Sequence, residues 1–213
     1  MITGVTIGGY HSYDDLNMLL AKREIGLPEV QTSTVEVPGR DGALDLTDVL
    51  YGVKYDNRTI KLTLLTTTVI SESNWAELLS DISGKLHGQK LKIIFDEDTD
   101  WYYYGRVSIN KFQTDCRKQE VVLECDCEPY KLAVEDTVVE VTSPAEVTLI
   151  CDRMSTIATL TTDATITLVY DSSSLVMSAG TYYLTGIPLE EGETTWTLTG
   201  TANVTITYTQ GRL

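Results

Sequence analysis

Four carboxylates lie close together in the segment Asp96-Glu97-Asp98-Thr99-Asp100. Aspartates at alternate positions can converge hard oxygen ligands on Ca²⁺. The segment lacks the glycine and the distal glutamate of an EF-hand loop, and it lies between two predicted strands. A solvated hairpin turn is therefore favoured over a calcium site, and we predict no bound metal.

An aromatic run, Trp101-Tyr102-Tyr103-Tyr104, follows the acidic segment directly. Exposed aromatic rings can stack on sugars or anchor protein interfaces. Successive side chains of a strand point to opposite faces, so Trp101 and Tyr103 share one face and Tyr102 and Tyr104 the other. We predict that one pair lies in the core and that Tyr102 and Tyr104 are exposed contact residues. A protein interface or ordinary surface packing is favoured over sugar binding.

Catalytic machinery is sparse in this sequence. The two histidines, His11 and His87, stand alone, and there is no Gly-x-Ser-x-Gly elbow and no phosphate loop. His87 is expected near a helix C-terminus, where a cation is favoured, and His11 in a turn. Nothing singles out two of the 31 acidic residues as a glycosidase pair. We predict that the protein is not an enzyme and has no cofactor.

Composition describes a folded and strongly acidic protein. Of its 213 residues 42% are apolar, enough to bury a core in one large or two small domains. The formal net charge of −15 argues against nucleic acids and anionic membranes as partners, because both require clustered Lys and Arg. No stretch approaches the roughly 20 apolar residues of a membrane span, and the start lacks the features of a signal peptide. We therefore expect the chain to fold in the cytoplasm of the cell that makes it.

Period-two alternation of apolar residues recurs along the chain and predicts strands with one buried face. One helix is predicted at 74–87, with Asn74 and Glu77 as its cap and Gly88 as the left-handed residue that ends it. The alternating sets are Val35 and Val37; Ile60, Leu62 and Leu64; Leu91, Ile93 and Phe95; Trp101, Tyr103, Val107 and Ile109; and Val121, Leu123, Cys125 and Cys127.

Composition changes near residue 135. Residues 1–135 hold 14 Lys plus Arg against 22 Asp plus Glu, whereas residues 136–213 hold 2 against 9. Nineteen of these last 78 residues are Thr, and the predicted strands become shorter. The pattern predicts a second, all-β module at 136–213, a small sandwich with Thr on its solvent face.

The loop Pro38-Gly39-Arg40-Asp41-Gly42 follows the predicted strand 34–37. Two glycines around an Arg-Asp pair make a turn that projects both charges outward.

A series of local features follows in order over roughly residues 1–135. They are the Gly8-Gly9-Tyr10 start, Ser12-Tyr13-Asp14-Asp15-Leu16, the strand into Val37-Pro38-Gly39-Arg40-Asp41-Gly42, Asp45-Leu46-Thr47, the strand Lys61-Leu62-Thr63-Leu64, the helix with Trp75 and Leu86, Phe95-Asp96 leading into Tyr103-Tyr104-Gly105-Arg106-Val107, and Glu124-Cys125-Asp126-Cys127-Glu128-Pro129-Tyr130. No single feature is specific, but the ordered set resembles the N-terminal domain of the distal tail (Dit) proteins of siphophages and related prophages.

The resemblance implies a mainly β fold, with an N-terminal β-sandwich that carries one α-helix and a small C-terminal all-β sandwich, galectin-like or reduced. It implies that residues 1–135 form a homohexameric ring in the virion, at the tail tip. Such a ring is a hub that joins the tail tube protein to the tail-tip or baseplate proteins and to receptor-binding proteins. In this setting, Pro38, Gly39, Arg40, Asp41 and Gly42 are candidates for a contact between subunits. Arg40 and Asp41 either pair across neighbouring subunits or brace their own turn.

Two other classes of function stay open at this stage. A carbohydrate-binding β-sandwich module fits the strand pattern and the tyrosines, and it predicts a monomer whose melting temperature shifts with sugar. An acidic hydrolase would require two converging carboxylates, at least one with a perturbed pKa.

Overall fold

The computed structural model of the protein describes residues 4–47, 53–115, 118–171 and 173–213. The chain divides into two compact units, Met1–Pro129 and Tyr130–Leu213. No helix within the described residues is long and apolar enough to cross a membrane.

The first unit contains eleven of the described strands and one described helix. Seven of these strands form an antiparallel sheet. In chain order the elements are β1 (Val5–Ile7), β2 (Tyr10–His11), β3 (Met18–Ile25), β4 (Val30–Gln31), β5 (Thr34–Val35), β6 (Leu44–Asp45), β7 (Lys54–Tyr55), β8 (Arg58–Thr66), α1 (Glu72–Leu86), β9 (Lys90–Phe95), β10 (Trp101–Asp115) and β11 (Lys118–Cys127).

The main sheet of the first unit has the strand order β2-β1-β9-β10-β11-β8-β3. Its core face follows the predicted alternation, since Ile60, Leu62 and Leu64 of β8 are buried while Thr59 and Lys61 are exposed. Helix α1 packs on this face, and its buried residues belong to the same apolar cluster as the strands. Each fully buried Leu or Ile side chain stabilises such a core by about 1.5–3 kcal/mol.

The helix begins earlier than the sequence predicted. Ser71 is the N-cap, and its side chain accepts a hydrogen bond from the Asn74 backbone, so the prediction that Asn74 caps the helix is wrong. Ser71, three residues earlier, satisfies an orphan backbone donor of the first turn, the N–H of Asn74 itself. The predicted end is confirmed, because Gly88 has a φ of +76° directly after the last turn.

The second unit contains the remaining strands and follows the Thr-rich pattern. In chain order these are β12 (Lys131–Ala133), β13 (Thr137–Cys151), β14 (Thr159–Thr162), β15 (Ile166–Tyr170), β16 (Ser173–Met177), β17 (Gly180–Tyr183), β18 (Gly192–Tyr208) and β19 (Gly211–Arg212). The segment 138–141 lies within the long strand β13.

Two long strands, β13 and β18, organise the second unit. They pair with each other along both halves, with a register shift where Ser143–Ala145 faces Leu198–Ala202. The first half of β18 pairs with β15 and its second half with β14. Gly200 lies at the shift with a φ of +103°, and an added Cβ would stand 2.8 Å from the Thr165 carbonyl oxygen. The inner residues of both halves form one apolar cluster, while Thr195 and Thr197 are exposed, which confirms the predicted small sandwich.

Candidate assembly surface

A long excursion of the chain separates β3 from β8. We call residues 26–57 the arm; residues 48–52 within it lie outside the described part of the chain. Its regular structure consists of two short ribbons, in which β4 pairs with β7 and β5 with β6. Strand pairs of two residues are not stable by themselves in water. The arm therefore has little internal support.

Large apolar side chains of the arm are exposed rather than buried. Leu27 is 82% exposed, and four valines join it: Val30, Val35, Val37 and Val53. The prediction that Val35 and Val37 form the buried face of a strand is wrong. The two valines do alternate with polar residues, but no described layer of the first unit covers their side chains. Exposed apolar groups concentrated in one segment mark an interaction surface.

The loop 38–42 forms the tip of the arm, between β5 and β6. Gly39 and Gly42 adopt φ values of +86° and +77°, which side chains disfavour, and this explains both glycines. The Arg40 N–H donates to the Val37 carbonyl at 3.1 Å, which closes the turn. Every residue of the loop is exposed. Among the described residues, the side chains of Arg40 and Asp41 have no hydrogen-bond or ion-pair partner, so the predicted contact between subunits stays a prediction.

Tyr102 and Tyr104 lie on β10 beneath two lysines of the neighbouring strand. The Lys92 ammonium stands 4.2 Å from the Tyr102 ring centroid, and the Lys90 ammonium 4.6 Å from that of Tyr104. Both rings are half-buried. A hydrogen bond to Glu128 raises the pKa of Lys90 and keeps its charge in place. The rings are thus not open stacking platforms on this side, and their role as contact residues stays a prediction.

The other two aromatic residues of this run face the core to different degrees. Tyr103 is buried, and its ring meets that of Phe95 edge to face at 6.1 Å. Trp101 is half-buried. Of the predicted core pair, Trp101 and Tyr103, only Tyr103 is therefore buried.

The acidic segment 96–100 forms the turn between β9 and β10. The Asp98 N–H donates to the Phe95 carbonyl at 2.9 Å. Asp96 accepts a hydrogen bond from the Gly4 N–H at 2.7 Å and lies 3.3 Å from the Nε2 atom of His11. The Asp96 carboxylate therefore connects this turn to the residues at either end of β1 and β2, Gly4 and His11. Within the described residues there is no group of three side chains placed to hold a metal ion.

Cysteines are the remaining nucleophiles of the first unit. Cys125 and Cys127 are fully buried on the core face of β11, as predicted. Burial raises the pKa of both thiols, that of Cys127 to about 12, so neither is a thiolate near neutral pH. Cys116 lies outside the described residues. Neither described thiol of the first unit is therefore placed to act as a nucleophile.

The two antiparallel β units, the first of which carries one described helix and the exposed arm, have the fold of a phage distal tail protein. The comparison that shows this is with the crystal structure of the SPP1 Dit protein, gp 19.1, described as a paradigm of the hub adsorption apparatus in phages that infect Gram-positive bacteria. The two structures agree with a TM-score of 0.76 over 100% of both chains, at 15% sequence identity. No family model and no curated protein matches the sequence.

Proposed function

We propose that the protein is a structural subunit of a phage tail tip, six copies of which form a closed ring. The ring is a hub that joins the tail tube to the baseplate or tip proteins and to the adhesion proteins. The fold shared with the SPP1 hub protein over the full length of both chains supports this role. The protein is then a virion component whose work is binding rather than catalysis.

The exposed arm is the observation that carries the ring proposal. Burying a Leu or Val side chain is worth about 1.5–3 kcal/mol, and in one copy the arm leaves Leu27 and four valines exposed. Two-residue ribbons that lack their own core are stabilised when another surface packs on them. A neighbouring subunit would supply that surface, and it would do so at every position of a ring.

The tip loop fits the same role. Its two positive-φ glycines fix a turn that presents Arg40 and Asp41 outward. A closed ring requires a head-to-tail contact, in which two different surfaces of the same chain meet. We propose that Arg40 and Asp41 form charge-assisted hydrogen bonds with a neighbouring subunit.

The two units have different roles in this proposal. The first unit, with the arm, forms the ring. The second unit, which has its own core, lies outside the ring and attaches adhesion proteins. The tail tube protein and the tail-tip protein contact the two faces of the ring.

The test of the ring proposal is the mass of the full chain in solution, measured by light scattering after size exclusion. We expect a species of six 23.6 kDa protomers, and ring-shaped particles in negative-stain images. The Arg40→Ala variant is expected to dissociate at higher protein concentration than the wild type. Arg153→Ala is the matched control, because Arg153 is an exposed arginine of the second unit that pairs with Glu191. A monomer at every concentration, or open filaments, would contradict the ring, and an unchanged hexamer in Arg40→Ala would contradict the role of the tip.

A further inference from the structure

Phe112 lies on the core face of β10 but is not covered there. It pairs with Val121 of β11, whose side chain is fully buried. A β-bulge between Ile109 and Lys111 sets this register. If β10 continued here without a bulge, Lys111 rather than Phe112 would follow Ile109 on the core face, because side chains alternate. The bulge therefore presents an aromatic ring at the end of the core, and Phe112 is 57% exposed.

The strand edge beside Phe112 is open. On this side β10 pairs with β9 from Tyr103 to Arg106, and the Gln89 carbonyl and the His87 ring then accept the backbone N–H groups of Val107 and Ile109. From Lys111 to Asp115, β10 pairs residue by residue with β11, on its other side. An open edge with unpaired backbone groups is a template for one more strand.

The segment 34–37 of the arm has the pattern that this edge requires. It reads Thr34-Val35-Glu36-Val37, with both valines exposed. In an added strand, Val35 and Val37 would share the face of Phe112, and Glu36 would share the face of Lys111. Within the described residues, neither Glu36 nor Lys111 has an ion-pair partner. In this arrangement, the apolar side chains of the two strands lie on one face of the sheet, and the charged side chains lie on the other.

Charge favours the same pairing. The arm carries more acids than bases in its described part, namely Glu29, Glu36, Asp41, Asp45 and Asp56 against Arg40 and Lys54. At the open edge, Lys111 supplies an exposed charge of the opposite sign, in a chain of net charge −15. Opposite charges on two surfaces raise the rate of their encounter and fix its register.

The arm leaves the main sheet from a different strand and a different row than those of Phe112. The arm leaves β3 after Ile25, which pairs with Ile60, whereas Phe112 lies in the row that contains Val121 and Leu64. Ile60 and Leu64 are four residues apart on β8, which corresponds to roughly 13 Å. In one copy both surfaces are exposed. A contact between the arm of one copy and the Phe112 edge of the next is head-to-tail, as a ring requires.

We infer that the open edge of β10 at Lys111 and Phe112 is the acceptor for residues 34–37 of the arm of a second copy, which adds to the sheet as an extra strand. This inference rests on the proposed ring and names the two surfaces that form it. It predicts that the contact consists of backbone pairing, burial of Phe112 under the two valines, and an ion pair between Glu36 and Lys111.

Mixing two defective variants of the full chain tests the inference. The Val35→Ser/Val37→Ser variant has a damaged arm and an intact edge, and Phe112→Ser has the reverse. Each alone is expected to stay monomeric at a concentration where the wild type is hexameric. A 1:1 mixture is expected to form a heterodimer of two 23.6 kDa chains, because one intact contact is left and both outer ends are blocked. Unchanged melting temperatures check that the variants fold, and Val176→Ser, at a position 69% exposed in the second unit, is the control expected to stay hexameric.

Charge exchange provides a second readout. Lys111→Glu is expected to raise the dissociation constant of the assembly at least tenfold at low salt, and Glu36→Lys in the same chain is expected to restore it. If the wild type is a hexamer and all these variants are hexamers too, the inference is wrong and the ring proposal stands. If the wild type forms open chains that Phe112→Ser abolishes, the contact is right and the closed ring is wrong. A wild type that stays monomeric, with no heterodimer in the mixture, would overturn both.

Discussion

The side-chain amide of Gln119 pairs with both backbone polar groups of Ile70. The Ile70 N–H donates to Gln119 Oε1 at 3.0 Å, and Gln119 Nε2 donates to the Ile70 carbonyl at 2.9 Å. Gln119 is buried on β11, and Ile70 lies just before the N-cap of α1. The amide takes the place of a neighbouring strand for an irregular segment, whose buried backbone groups need partners. It therefore fixes the point at which the chain leaves the sheet and enters the helix.

Replacing Gln119 tests how much its side-chain amide contributes to the free energy of unfolding. Gln119→Leu is expected to lower the free energy of unfolding by about 2 kcal/mol, because each buried group left without a partner costs roughly 1–3 kcal/mol and local relaxation recovers part of this. Urea unfolding at a fixed protein concentration measures the change. Thr197→Leu, at an exposed strand position, is the control and is expected to stay within about 0.5 kcal/mol of the wild type. Equal effects of the two substitutions would show that the Gln119 pairing has no special role.

Two glycines are expected to respond to alanine in opposite directions. An added Cβ at Gly84, within α1, meets nothing within 4 Å, so Gly84→Ala should raise the free energy of unfolding by up to about 1 kcal/mol through helix propensity. At Gly105, on β10, the added atom would stand 2.6 Å from the Cα atom of Cys127 and closer still to the Asp126 carbonyl. Gly105→Ala should therefore lower it by roughly 2–3 kcal/mol, since the sheet backbone would have to move. Thermal unfolding of the two variants checks the signs, and a stable Gly105→Ala protein would contradict the close approach.

Local pattern was sufficient to predict the core strands and the helix. Ile60, Leu62 and Leu64 are buried because one face of β8 meets a continuous core, and strict alternation reports such a strand directly. The start of the helix was less predictable, since Ser71 and Asn74 are both good caps and only the packed helix decides between them.

Local pattern could not show which alternating faces are left uncovered. Val35 and Val37 alternate like core residues, but alternation says that two faces differ, not that a layer covers one of them. Phe112 is similar, because its place on the core face depends on a bulge that the sequence does not mark. An exposed apolar face and a buried one have the same local sequence pattern.

The raised pKa of the Cys127 thiol predicts that the protein loses stability in alkali. Burial raises its pKa from 9.0 to about 12, so the unfolded chain ionises this thiol near pH 9 while the native chain keeps it protonated. The stabilisation is complete below pH 9 and is lost as the pH rises towards 12, by up to about 1.4 kcal/mol per pH unit. Urea unfolding of the wild type and of Cys127→Ala at pH 8, 9, 10 and 11 measures this.

The comparison between the two proteins removes other titrating groups. Lysines and tyrosines are common to both chains, so their effects cancel in the difference. The advantage of the wild type over Cys127→Ala should shrink steadily above pH 9. A difference that stays constant up to pH 11 would mean that the folded chain ionises this thiol as easily as the unfolded one does.

Arg58 is a charged residue that the fold is expected to tolerate rather than require. It is 2% exposed, its guanidinium carbon lies 5.4 Å from the Tyr103 ring centroid, and its Nε and Nη2 atoms have no partner among the described residues. Arg58→Met keeps the packing and removes the unpaired donors, so the free energy of unfolding should equal that of the wild type or exceed it by up to about 2 kcal/mol, although the cation no longer lies over the Tyr103 ring. Arg58→Ala should lower it by about 2 kcal/mol or more through the cavity it leaves. Urea unfolding compares the three proteins, and an equal decrease in both variants would show that the guanidinium charge itself stabilises the native state.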